Sequence, residues 1–282
     1  MKTLFRLGIR AFNRAISVSR FELIRHPKKP FGLELYPDTD RTETPRYVNI
    51  GAGNFYHPLW HNLDMPNDYY AGQQKDKLHI SHDLTSSQHL PFADQTLHVA
   101  YTSHVVEHLS NDDVAHLFAE VYRCLRPGGV FRITCPDMDL EYDAYLRRDN
   151  SFWKWPNAYK VFNSSVEQCF LDHFATILTL SHPEKGCRKF SDQEVGSLFA
   201  DMGKVGAFEY LINQIPGNLR SRYPADHVNW FNFEKLLTML GDAGFAKVYE
   251  SKYGQSKSPL LRNLALFDST CPELSLYVEC VK

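Results

Sequence analysis

The stretch from Tyr47 to Asp64 reads YVNIGAGNFYHPLWHNLD. An apolar run leads into Gly51-Ala52-Gly53, and a second short run ends on Asp64. Two glycines after a strand let the backbone come close to a ligand or to a neighbouring element. Three occupants suit such a turn: a phosphate, an adenosine, or nothing beyond the protein itself. A dinucleotide turn asks for a third glycine three residues after the second, at a helix N-terminus aimed at pyrophosphate. That position is Tyr56, and Pro58 follows it, which weakens the phosphate version. An adenosine asks for less: close backbone approach at Gly51 and Gly53, then a carboxylate at the end of the next strand for the ribose hydroxyls, which Asp64 supplies. Asp83, in HISHDL, falls where a third strand would end, placed to accept from an adenine amino group while Leu84 covers the ring face. Three strand ends would then meet on one ligand, as open α/β sheets arrange theirs.

Strands must carry those residues to one rim. From Arg46 onward, short apolar runs alternate with turn signals and helical stretches, the pattern of a mostly parallel α/β sheet with crossover helices. Strands are expected near 46–50, 60–63, 78–82, 97–102 and 130–134. SNDDVAHLFAEVYRCLRPGG predicts a helix with Ser110 and Asp113 as a capping box, Val114, Leu117, Val121 and Leu125 as its apolar stripe, and Pro127 to Gly129 as its stop. NFEKLLTMLGDAGF predicts another, starting at Asn232 and ending at Gly244, after which AKVYES and LSLYVECVK read as two strands paired at one sheet edge. The interval 52–60 is short for a parallel crossover, so the first crossover helix is expected to be a stub or absent. Between Asp137 and Asp226 the strand rhythm gives way to a helical, aromatic-rich stretch, read as an inserted cap on the substrate side. The expected division is 1–40 as an N-terminal segment, 41–136 with 227–282 as the core, and 137–226 as the cap.

Charge and cysteine usage narrow the function. Lys and Arg number 31 against 33 Asp and Glu, so no global basic field holds a nucleic-acid backbone. The six cysteines are scattered without a CxxC pair, no metal-ligand spacing is apparent, and a reducing cytoplasm fits best. No apolar run approaches the roughly 20 residues that span a bilayer. Residues 1–29 differ from the rest, with eight Lys or Arg against one acid, Glu22. Phe5, Ile9, Phe12 and Ile16 recur at helical spacing while Arg6, Arg10 and Arg14 step along another face. Peripheral contact with the inner membrane face is one reading of that segment; packing on its own domain and an organellar transit peptide are the others.

Taken in order, VNIGAGNF, NLD, HDLTSSQHLPFADQTLHVAYTSHVVEHL, EVYRCLRPGGVFRITCPD and SLYVECVK resemble the class I S-adenosylmethionine-dependent methyltransferases, type 11-like, and most of all the bacterial branch associated with surface-glycan biosynthesis. The resemblance covers Arg46 to Asp137 and resumes at His227. It implies a Rossmann-like, doubly wound fold and S-adenosyl-L-methionine as cofactor. It also implies that Gly51, Gly53 and Asn54 line the methionine and ribose side, that Asp64 holds the ribose, that Asp83 and Leu84 hold the adenine, and that Ser103 and His104 pass beneath the sulfonium. The sequence departs from the family at His98, where an acid is common before the valine of the fourth strand.

If the acceptor is a hydroxyl of a sugar or glycan precursor, attack on the activated methyl also needs a base. His108 and Glu107, in SHVVEHL, are the first candidates, followed by Asp137 and His227. Each has a structural alternative: loop hydrogen bonding for Glu107 and His108, a helix cap for Asp137, core packing for His227. The rival functions are a lipid or quinone methyltransferase at the membrane surface and a non-catalytic S-adenosylmethionine-binding regulator.

Overall fold

A computed structural model describes residues 32–37, 46–65, 79–154, 164–220 and 222–282, together with the fold of Leu35–Lys282 as one unit. The amphipathic segment 1–29 lies outside the described residues. Seven strands form one sheet: β1 (Tyr47–Ile50), β2 (His61–Asp64), β3 (His79–Ser81), β4 (Leu97–Ser103), β5 (Leu125–Pro136), β6 (Lys247–Glu250) and β7 (Ser275–Val281). Their order is β3-β2-β1-β4-β5-β7-β6, with β7 antiparallel to both neighbours and the other described pairings parallel. The fold class is the expected Rossmann-like, mostly parallel α/β sheet. The chain runs outward from β1 through β2 to β3, then restarts at β4 on the other side of β1. The carboxyl ends of β1 and β4 therefore flank the switch point, where open sheets of this kind hold their ligands.

Helices α1 (Asn111–Cys124), α2 (Met138–Leu146), α3 (Val166–Ala175), α4 (Asp192–Ile212), α5 (Gly217–Arg220) and α6 (Phe233–Asp242) complete the described elements of regular length. Local chemistry starts them as the sequence predicts. Ser110 and Asp113 exchange side-chain and backbone hydrogen bonds at the head of α1, and Asn232 accepts from Lys235 N–H at the head of α6. Val114, Leu117 and Val121 of α1 and Leu236 and Leu240 of α6 are buried against Val48, Ile50, Ala100, Phe131 and Ile133 of the sheet.

Leu125 differs from its expected place. α1 ends at Cys124, and Leu125 already pairs with Leu97 as the first residue of β5. Gln95 and Thr96 donate N–H to the Arg123 and Cys124 carbonyls, so the end of the helix is satisfied without the Pro-Gly-Gly stop. Arg126 to Gly128 instead form an exposed irregularity in the strand, and Gly129 is buried. A Cβ on Gly129 would sit 2.9 Å from the Arg126 carbonyl oxygen.

No helix joins β1 to β2; turns fill the interval, as its length demands. The sheet face above it is closed by aromatic side chains, Tyr36, Tyr47, Trp60, Tyr101 and Phe267, with Leu260 and Leu261. Phe267, Leu260 and Leu261 come from the connection between β6 and β7, which folds back to do the covering. His98 shares this side, 3.0 Å from Arg46 Nη1 and edge-on to Tyr47.

A second buried cluster, drawn from Met138 to Trp230, is built by α2 to α5 around Phe170, Phe174, Phe199 and Phe208. The aromatic spacing in this stretch is therefore packing for those residues. Trp155, Tyr159 and Phe162 lie outside the described residues.

Candidate active site

The glycine turn is set by two neighbours. Gly51 has φ +67°, and a Cβ there would fall 2.2 Å from Val105 Cγ2, so no other residue fits without displacing Val105. Gly53, at φ +51°, donates its N–H to Asp64 Oδ2 at 2.8 Å. Met65 N–H takes Asp64 Oδ1 at 2.7 Å. Asp64 is 9% exposed, held by both oxygens at the end of β2, and each oxygen keeps a second lone pair. Asn54 follows Gly53 and is exposed.

Across the rim, His82 N–H bonds to the Asp64 carbonyl at 2.9 Å, which brings Asp83 to the neighbouring strand end. Asp83 Oδ1 accepts from the Thr85 N–H and hydroxyl, while Oδ2 has no hydrogen-bond partner among the described residues. Leu84 packs against the main core. Gly51, Gly53, Asp64 and Asp83 thus share the carboxyl rim of β1 to β3.

β4 ends in an unusual turn. Ser103 accepts from the Thr134 hydroxyl at 2.8 Å, and His104 takes φ +54°, a left-handed conformation uncommon outside glycine. The reversal directs Val105 back against Gly51 and starts a short 3-10 turn, Val106–His108. The glycine turn and the Glu107-His108 pair are thereby one side chain apart.

That turn meets the far end of the helical stretch. The Glu107 carbonyl accepts N–H bonds from Val228 and Asn229 at 2.8 and 3.1 Å. His108 Nδ1 bonds to the Asp226 carbonyl at 2.9 Å, across 118 residues of sequence. His227 Nδ1 bonds to the His173 carbonyl at 2.7 Å. A carbonyl only accepts, so both Nδ1 atoms carry the proton and the lone pair of each neutral ring sits on Nε2. The two rings meet edge to face with centroids 4.8 Å apart. One donor atom from each of Glu107, His108 and His227 lies within 4.8 Å of the others, a compact group that spacing along the sequence does not reveal.

Glu107 is 1% exposed. His104 Nδ1 stands 3.1 Å from its Oε1, outside hydrogen-bond geometry, and neither carboxylate oxygen has a hydrogen-bond partner among the described residues. Burial pushes the Glu107 pKa up, but His104 and then the His108 and His227 rings overcome it and hold the carboxyl at about 2. Burial, reinforced by His108, brings His227 down to about 3, so its ring is neutral near pH 7.

Asp137 stands apart from this group in its bonding. It caps α2, accepting from the Asp139 and Leu140 N–H groups, and burial raises its pKa. Behind His227, the sequence reading missed Glu141 and His173. His173 Nδ1 lies 3.0 Å from Glu141 Oε2. Burial raises Glu141; burial alone would lower His173, but Glu141 beside it raises the ring instead. Nothing local in the sequence marks that pair, because α2 and α3 bring it together. Two basic side chains of the helical stretch are engaged internally, Arg188 with Glu194 and Arg222 with Glu184.

Residues 62–133 match a family model described as a methyltransferase domain. The match takes in 72 of the chain's 282 residues. Its matched part takes in Asp64, Asp83, the His104 turn and the Glu107-His108 pair. Over that stretch the chain is similar to a methyltransferase. A search of curated proteins finds no match to this chain. Among solved structures, the chain is similar to an S-adenosylmethionine-dependent methyltransferase from Archaeoglobus fulgidus, at 12% identity and TM-score 0.40 over 85% of this chain and 87% of that one. Another from Mesorhizobium loti matches at 14% identity and TM-score 0.39, over 89% and 95% of the two chains. Among the described residues no helix is long and apolar enough to cross a membrane.

Proposed function

We propose that the enzyme transfers a methyl group to a hydroxyl of a saccharide or glycan precursor. The carrying observation is the meeting of a nucleoside-type rim with a proton-accepting group across one side chain, Val105. The rim fits the cofactor: Asp64 keeps lone pairs for the ribose hydroxyls, Asp83 Oδ2 is open to the adenine amino group, and Leu84 borders the ring. Gly51, Gly53 and Asn54 line the methionine and ribose side, and Ser103 and His104 pass below it. Bound there, S-adenosylmethionine supplies an electrophilic methyl whose carbon–sulfur bond breaks with both electrons staying on sulfur.

The chain has to orient the acceptor and take its proton. With Nδ1 of His108 and of His227 donating to the Asp226 and His173 carbonyls, Nε2 of each ring is the atom left to take a proton. Glu107, ionised beside them, stabilises the imidazolium that forms when a ring accepts the proton. A hydroxyl needs such a base because its oxygen is a poor nucleophile while protonated. In this account Asp137 positions α2, and the helical stretch 137–226 serves as the cap that brings His227 over the acceptor and excludes water.

His108→Ala separates the parts. S-adenosylhomocysteine affinity measured by calorimetry should stay within a factor of about two. Transfer to a panel of sugars and nucleotide sugars should fall by about 10²-fold or more. Transfer at the wild-type rate in this variant, or transfer confined to amine acceptors, would remove the base and with it the hydroxyl.

We further propose that residues 1–29 hold the enzyme on the inner membrane face, where glycan precursors carried on lipid are met. The support is their eight positive charges and apolar stripe. The full chain should co-sediment with anionic vesicles in a salt-sensitive way, and a chain lacking 1–29 should not. Equal sedimentation of both would sink the idea.

A further inference from the structure

Glu107 poses a problem that proton transfer alone does not answer. A carboxyl group that is 1% exposed and without a hydrogen-bond partner on either oxygen among the described residues is a costly arrangement. Its donor atoms lie within 4.8 Å of those of His108 and His227. Both imidazoles have their Nδ1 protons committed to backbone carbonyls, the outer-sphere contact that fixes a ligating histidine with its other nitrogen free. His104 Nδ1 stands 3.1 Å from Glu107 Oε1. Two imidazoles and one carboxylate, with no thiolate, form a donor set suited to a divalent first-row transition ion.

We propose that Glu107, His108 and His227 bind one divalent transition ion of the zinc class. Tetrahedral ligands at ~2.1 Å from an ion stand roughly 3.4 Å apart, so the widest pair closes by about 1.4 Å on binding, a movement of the scale that side-chain rotation provides. The cation compensates the buried charge of Glu107. Three protein ligands leave a fourth position open, where an acceptor oxygen would bind and become more acidic. The inference rests on reading this cluster as the acceptor-activating end of the site, and it changes the means: the ion draws charge from the oxygen, and the proton leaves to water instead of to a ring nitrogen.

The test uses the full chain, stripped with a chelator and dialysed. Calorimetry with Zn²⁺ should show one equivalent bound, and Co²⁺ should give visible absorption of a low-symmetry four- or five-coordinate ion, displaced by Zn²⁺. His108→Ala, His227→Ala and Glu107→Gln should each weaken the ion by more than about 100-fold while keeping S-adenosylhomocysteine affinity, which reports that the fold is intact. The absence of saturable binding to the wild-type chain overturns the proposal, and so does an affinity unchanged in all three variants. If the ion does not bind but His108→Ala still slows transfer, the metal falls and the base stands. Should the ion bind at these residues while the variants transfer methyl at the wild-type rate, the metal site stands and its role in activating the acceptor falls.

Discussion

At the scale of single residues, the protein sets charges by what surrounds them. Asp64 is fixed by two backbone N–H groups, and Glu107 by neighbouring rings. Glu120, on α1, shows the same control away from the site. Burial opposes its ionisation, but hydrogen bonds from Arg123, His89 and Leu90 N–H overcome that and hold its pKa at about 2, against an ordinary value of 4.5. A depressed carboxyl contributes stability in full above its unfolded pKa and loses it as pH falls through the folded one. Folding stability should therefore decline between about pH 4.5 and about pH 2, and Glu120→Gln should remove that part of the slope. Denaturant melts across this window check it; an unchanged slope in the variant contradicts it. Gly51, Asp64, Asp83, Glu107 and His108 were all legible in the sequence as candidates, because strand ends and turn glycines are local signals. That His227 joins Glu107 and His108 was not legible as contact, since tertiary hydrogen bonds across 118 residues create it. The packing reason for Gly51 was hidden too, because Val105 reaches it only through the left-handed turn at His104.

Among elements, capping chemistry was readable and long connections were not. Ser110 with Asp113, and Asn232, announce their helices through groups three residues away. The connection 251–274 carries no periodic pattern, yet it closes the sheet face that lacks a first crossover helix. Arg132 on β5 anchors it. With no side-chain exposure, Arg132 donates two bonds to Asp268, at 2.9 and 2.6 Å, reaches the Lys252 and Gln255 carbonyls, and faces Glu279 across the β5–β7 pair. An arginine within the apolar VFRITC run was the visible signal; its partners were not. Removing one member leaves buried charge uncompensated. Arg132→Ala should cost about 3–5 kcal/mol in chemical denaturation. A loss below about 1 kcal/mol would show that the network contributes little.

Over the whole molecule, the sheet order carries the function. Restarting at β4 beside β1 puts the glycine turn and the His104 turn on one crevice, and the helical stretch 137–226 returns His227 to it. The alternation of strands and helices made the sheet legible, and the two final strands pair at one edge as expected, but the insertion of β7 between β5 and β6 was not legible. The placement of the second aromatic cluster against the site depended on packing that no periodicity encodes. The central claim is that Gly53, Asp64 and Asp83 together hold an adenosine without a phosphate tail. Titration of the full chain with S-adenosylhomocysteine and with NAD, side by side in a calorimeter, tests it most directly. The wild-type enzyme should bind S-adenosylhomocysteine and not NAD, and Asp64→Ala should lose that binding; a wild-type chain that takes up NAD instead, or an Asp64→Ala chain that binds S-adenosylhomocysteine as tightly as wild type, would contradict it.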